Sequence, residues 1–270
     1  MPERDAADPG SAAALPKRHG ESAAKTFLVA FVMALAAGLI VAGSSLRLRP
    51  IQAANQDIDT QRNVLEVAGI ESVDGVRRTF LRQVRVRMVD LETGEYTSAA
   101  DPVQFDPQAA ARDPETSRNI PKEADIAGLG RREDYARAYL VQEDGDLKAV
   151  VLPVRGRAYS EMSALLALAS DGNTIIGFKA YEHEETPGLG GRVDDPAWRA
   201  RWEGKALRDE LGRLRLELSS EPAGPDSLYR VDAITGATIT SQGVQNIVRF
   251  WMGEYGFGPF LSRLRQGDEP

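Results

Sequence analysis

Apolar residues fall into three patterns along this chain. The first is one unbroken block, TFLVAFVMALAAGLIVAGSSL at 26–46, without a charge between Lys25 and Arg47. At about 1.5 Å of rise per residue, that length predicts one bilayer-spanning helix. The alternative is a cleaved signal peptide with Ala42-Gly43-Ser44 as its small-residue site, although such apolar cores usually run about 7–15 residues. The second pattern is alternation. VRVRMV (84–89) reads as a half-buried strand, and RLRLELS (213–219) puts Leu214, Leu216 and Leu218 on one face. LKAVVLPV (147–154) reads as a strand ending near Pro153, and ALLALASDGNTIIGFKAY (164–181) as two strands joined at Asp171-Gly172. The third pattern is helical. In SQGVQNIVRFWMGEYG (241–256), Val244, Ile247, Val248 and Trp251 share one side, with Gly253 or Gly256 to end the helix. Phe250, Trp251, Met252 and Tyr255 read as core.

The intervals give the layout. Residues 1–25 are small, polar and proline-bearing, which predicts a disordered tail. After Pro50, residues 51–68 read as a polar helix, making 47–69 a juxtamembrane segment. The soluble domain is expected over 70–270. Within it, 101–136 reads as an irregular insertion with a short helix. DDPAWRARWEGK (194–205) starts a helix with Asp195 as N-cap and Pro196 in the first turn. The predicted class is α+β: a single N-terminal transmembrane helix, then an antiparallel sheet with flanking helices. Basic residues do not orient the span, because Lys17, Arg18 and Lys25 precede it and Arg47, Arg49 and Arg62 follow.

Composition narrows the chemistry. The net charge of −7 gives no global basic footprint for nucleic acid. With no cysteine, the chain supplies no disulfide, zinc-thiolate, iron–sulfur ligand or catalytic thiol. Its two histidines, His19 and His183, exclude a His-rich metal site. Redox chemistry, if present, rests on an organic cofactor.

Two stretches remain. In DAITGATIT (232–240), Gly236 and Ala237 allow close approach, and the start of the following helix suits a phosphate. The plainer reading makes Thr238, Thr240 or Ser241 a helix cap and Gly236 a turn, with Asp232 a turn-forming side chain. In YEHEETPGLGGRVDDP (181–196), Gly188, Gly190 and Gly191 make a close-approach loop, stiffened by Pro187. This is not the GxGxxG fingerprint and lacks its βαβ setting. Its backbone and Leu189 suit one wall of a planar ligand; the plainer reading is a structural turn. His183 among Glu182, Glu184 and Glu185 reads as surface rather than a metal site. The one histidine of the soluble region and the lack of a G-x-S-x-G motif argue against a hydrolase.

Together these residues resemble a known family. Residues 232–238, Asp-Ala-Ile-Thr-Gly-Ala-Thr, fit D-x-x-[ST]-G-A-[ST], the covalent flavinylation motif of FMN-binding domains. HEETPGLGGRVDDPAW resembles the Gly-rich segment of that family. With one N-terminal span and LRPIQAANQDIDTQRNVLEVAGI after it, the chain resembles the C subunits of sodium-translocating NADH:quinone reductases from about residue 25 onward.

The resemblance implies an FMN bonded through phosphate to the Thr238 hydroxyl. A separate flavin transferase would attach it, with FAD as donor and Mg²⁺. Asp232, Thr235, Gly236 and Ala237 complete the motif, and Thr240 with the helix amides would hold the phosphate. Glu185, Thr186, Gly188, Leu189 and Gly190 would flank the isoalloxazine, with Leu189 against the ring and Thr186 at its edge. The flavin domain would be periplasmic, the tail cytoplasmic and the span in the inner membrane. The partners would be the A, B, D, E and F subunits of the pump, and no nucleic acid. The flavin would relay one electron from an iron–sulfur centre of membrane subunits toward the flavin-bearing B subunit and quinone. This chain would carry that step only. The alternatives are the flavin subunit of an Rnf-type electron transport complex, which gene neighbours would separate, and a membrane-anchored binding protein without flavin, which would purify colourless.

Overall fold

The structure is a computed structural model that describes residues 23–221, 224 and 227–267. Residues 1–22 of the expected tail lie outside the described residues; residues 23–25 are helical. The chain divides into two compact units, Met1–Asn55 and Gln56–Pro270.

Helix α1 (Ala23–Val67) unites the expected span and the polar helix behind it, with no break at position 50. Its stretch Ala24–Ser45 is 22 residues long, with a mean hydropathy of 2.4 and nothing packed over it. By length and composition it is long enough to cross a membrane. Phe27, Phe31, Leu35 and Leu39 are exposed on it, and a helix apolar all round suits lipid rather than water.

The second unit is built on a six-stranded antiparallel sheet. Its strands are β1 (Val84–Asp90), β2 (Tyr96–Thr97), β5 (Tyr135–Glu143), β6 (Asp146–Arg157), β7 (Glu161–Ala169) and β8 (Ile175–His183), in the order β2-β1-β5-β6-β7-β8. The alternation read in 84–89 and the hairpin read at Asp171-Gly172 are both present. The Asp171 carboxylate accepts from the Asn173 and Thr174 N–H groups and so builds that turn. β6 does not end near Pro153 but continues to Arg157. The reason is positional. The β5 ladder stops at Tyr139–Val151, so Pro153 pairs only with Leu165 of β7 and its missing N–H falls at a local edge.

The insertion contains more regular structure than its composition suggests. The short helix is α3 (Pro107–Arg112), capped by Asp106, and β3 (Ser117–Asn119) pairs with β4 (Arg131–Glu133). Only Glu217–Ser219 of the alternating 213–219 run is a strand, β9. It pairs parallel with β10 (Arg230–Asp232), against the antiparallel expectation.

Helices cover both sheet faces. On one side lies α5 (Thr238–Trp251), whose Val244, Ile247, Val248 and Trp251 are buried as the spacing predicts. Phe250 and Met252 join that core, whereas Tyr255 stays 36% exposed. Beside it α4 (Pro196–Arg199), capped by Asp195 as expected, buries Trp198 against Phe178 and Trp202. The last helix, α6 (Gly258–Gln266), adds Phe260 and Leu261. On the other side, Val64, Leu65 and Val67 of α1 and Phe80 of α2 (Val76–Gln83) pack on Tyr139, Val151 and Leu165.

Candidate functional site: two loops at the start of helix α5

The 232–237 segment leaves β10 and turns at Gly236, whose φ of 82° places it in the left-handed region. Helix α5 then begins at Thr238, three residues before the expected Ser241. The capping reading does not hold. Ala237 occupies the N-cap without a side-chain hydrogen bond, and Thr238 is already in the first turn. Ser241 Oγ instead accepts from the Ile234 N–H at 2.9 Å, which folds the loop back on the helix. Thr238 is exposed, and the first N–H groups of a helix have no intrahelical acceptor. A hydroxyl there lies beside donors and the positive end of the helix dipole.

The Gly-rich loop lies against this turn. Thr186 O accepts from the Leu189 and Gly191 N–H groups, which closes the loop before a 3-10 turn over Gly190–Asp194. Leu189 Cδ2 lies 3.8 Å from where a Cβ on Gly236 would stand, so the loops are neighbours. Leu189 is 49% exposed and Ile239, next to Thr238, is 65% exposed. Two exposed apolar side chains beside an exposed threonine and two glycine turns form a ledge that suits a flat ring with a phosphate tail.

The structure separates the expected site residues by accessibility. Thr186, Gly188, Leu189, Thr235, Gly236 and Thr238 are exposed, and Asp232 is half-buried. Glu185, Gly190, Ala237 and Thr240 are buried and support the ledge from behind. Thr240, expected at the phosphate, instead donates its hydroxyl to Glu185 Oε2 at 2.5 Å. Glu185 Oε1 also accepts from Ser160 N and Ser160 Oγ, both at 2.9 Å. A Cβ on Gly190 would stand 2.2 Å from Glu185 Oε2 and 2.5 Å from Thr240 Oγ1, so a side chain there would have to displace that hydrogen-bonded pair. Burial pushes the Glu185 carboxyl up, but the Thr240 and Ser160 hydrogen bonds and nearby His183 outweigh it and hold it below the usual glutamate range.

Asp232 pairs with Arg201 at 2.7 Å, and its backbone carbonyl accepts from Trp198 Nε1 at 2.8 Å. The sequence reading missed Ser160, Trp198, Arg201 and Ile239. Of these, Trp198 stands in the HEETPGLGGRVDDPAW segment without a role read from it, and Ile239 is an apolar residue that the true start of α5 places on its solvent side. His183 contacts Asp194 at 3.1 Å, and no group of three potential metal ligands occurs among the described residues. A cavity of about 380 Å³ lies elsewhere, between α1 and the sheet near Tyr139 and Tyr181, and none of the candidate site residues lines it.

Comparison with known proteins identifies the family. The profile of the FMN-binding domain family matches residues 159–253, which hold Ser160, both loops and α5. The C subunit of the Na(+)-translocating NADH-quinone reductase of Pseudomonas aeruginosa is 43% identical over 256 residues, which covers 92% of this chain and 98% of that protein. The chain belongs to the family of C subunits of Na(+)-translocating NADH-quinone reductases. Its Yersinia pestis relative of the same name is 39% identical over 256 residues, covering 93% and 96% of the two chains. The crystal structure of Shewanella oneidensis NqrC superposes with a TM-score of 0.75 at 37% identity, covering 79% of this chain and 99% of that one. The C subunit of the Parabacteroides distasonis reductase, 22% identical with a TM-score of 0.63, shares the fold.

Proposed function

We propose that this chain is the membrane-anchored flavin subunit of a sodium-translocating NADH:quinone reductase, with FMN bonded through its phosphate to Thr238. The observation that carries the reading is the exposed Thr238 in the first turn of α5, beside the ledge of Leu189 and Gly236. When bound, FMN supplies one-electron chemistry at a potential that its surroundings adjust. The protein's own residues do the rest. Thr238 offers the oxygen that bonds to phosphorus. A flavin transferase breaks the pyrophosphate bond of FAD, AMP leaves, and the hydroxyl proton goes to solvent. The α5 amides would face the phosphate charge. Leu189 would cover one side of the ring, and Thr186 would offer a hydrogen bond at its edge.

The chain relays an electron from an iron–sulfur centre of partner subunits toward the B subunit and quinone. Without cysteine it brings no iron–sulfur ligands of its own. The span anchors it, with the flavin domain on the periplasmic side and the tail in the cytoplasm. A covalent bond suits that compartment, where a dissociated cofactor would be lost. The full-length relatives favour the sodium pump over an Rnf-type complex. The test is in-gel flavin fluorescence after denaturing electrophoresis of wild type and Thr238→Ala, each co-expressed with a flavin transferase. A band present in wild type and lost in the variant is expected. A dark wild-type band, with the transferase active on a control substrate, would return Thr238 to an ordinary helix residue.

A further inference from the structure

Behind the ledge, one carboxylate joins three elements. Glu185 enters from the end of β8, Ser160 from the β6–β7 turn and Thr240 from the first turn of α5. Glu185 is only 6% exposed. Burying a carboxylate is costly unless hydrogen bonds satisfy it. Here one oxygen takes two donors from Ser160 and the other takes the Thr240 hydroxyl. Ser160 Oγ in turn accepts from the Glu184 N–H at 3.1 Å. The Glu185 side chain also fills the space that a Cβ on Gly190 would need, so its position and the course of the loop depend on each other. Thr240 follows Thr238 by two residues, about 3 Å of axial rise along the helix.

We infer that Glu185, clamped by Ser160 and Thr240, is a positioning residue that fixes the 186–191 loop against α5 and whose negative charge lowers the reduction potential of the flavin held there. The inference rests on the attachment proposed at Thr238. The carboxyl is held below the usual glutamate range, so the site carries a fixed negative charge at neutral pH. Reduction adds an electron to the ring, and a nearby anion in a poorly solvated site opposes that addition. Ser160 and Thr240 themselves are uncharged, so they act through the placement of Glu185.

The test uses the full chain, loaded by a flavin transferase in detergent. Glu185→Gln keeps the shape and removes the charge. It is expected to retain the fluorescent band and to show a midpoint potential above that of wild type. Ser160→Ala keeps the charge and removes two contacts of its hydroxyl. It is expected to hold the wild-type potential while the 186–191 amides exchange with deuterium several-fold faster. A loaded Glu185→Gln protein with the wild-type potential would overturn the inference. So would Ser160→Ala with unchanged exchange. Should Glu185→Gln take up no flavin, the exchange of Ser160→Ala decides in the same way. Failure of the attachment itself shows separately, as a wild-type chain without covalent flavin.

Discussion

At residue scale, the proposed site divides into residues exposed on the ledge and residues that hold them in place. Leu189 belongs to the first group, half-exposed beside the Gly236 turn. Leu189→Ala is predicted to keep covalent FMN while electron transfer slows; flavin content by gel fluorescence and turnover in the assembled complex check it. Unchanged turnover would remove Leu189 from the ring. Thr238 stands out in the sequence because a glycine turn, a small residue and a hydroxyl stand together before an amphipathic run, and the structure leaves it exposed in the first turn of α5. Ser160 was not, since a serine in a strand turn has no spacing that marks it. Its importance comes from a partner 25 residues away. Thr240 was legible only as a hydroxyl near phosphate. The choice of Glu185 over phosphate as its partner depends on which helix face is buried, and that face was read to begin only at Ser241.

At element scale, alternation and helical spacing revealed β1, the β7–β8 hairpin, the cap of α4 and the buried face of α5. They failed where a local signal was overridden by pairing. Pro153 reads as a strand end, yet it stands where β6 has one neighbour rather than two. The alternation of 213–219 reads as a long strand, yet only three residues form one, paired parallel with β10, while Leu214 makes a single antiparallel bridge to Arg208. Glycine marks another contact that periodicity does not show. The end of α1 lies directly on β8, where a Cβ at Gly177 would stand 2.7 Å from Val67 O, a backbone atom with little room to move. Gly177→Ala is therefore predicted to destabilise the second unit by about 1–3 kcal/mol. Denaturant unfolding of the full chain in detergent measures this, and a variant within about 0.5 kcal/mol of wild type would show that α1 yields without cost.

At the scale of the whole molecule, composition showed a single apolar span and a chain that brings no thiol of its own, but charge did not orient it. Charge does bear on stability. Glu66 near the end of α1 binds Lys179 of β8 and Arg199 of α4, the latter at 2.8 Å. Burial raises its carboxyl, but these two cations hold it below the usual range. Glu185 and Asp171 are lowered in the same sense by their hydrogen bonds. A carboxylate whose folded value lies below its unfolded one adds stability above the unfolded value, and that stability is lost as pH falls toward the folded one. The unfolding temperature is thus predicted to decline once pH drops below about 4.3, the ordinary glutamate value. Glu66→Gln is predicted to show a shallower decline, and an identical slope would remove Glu66 from that account. The central claim is that one threonine carries the cofactor. Its most direct test is peptide mass mapping of the full chain purified with a flavin transferase. The account predicts an FMN phosphoester on the peptide containing Thr238, absent from Thr238→Ala. An adduct on Thr235 or Thr240, or an unmodified Thr238 peptide with active transferase, would contradict it.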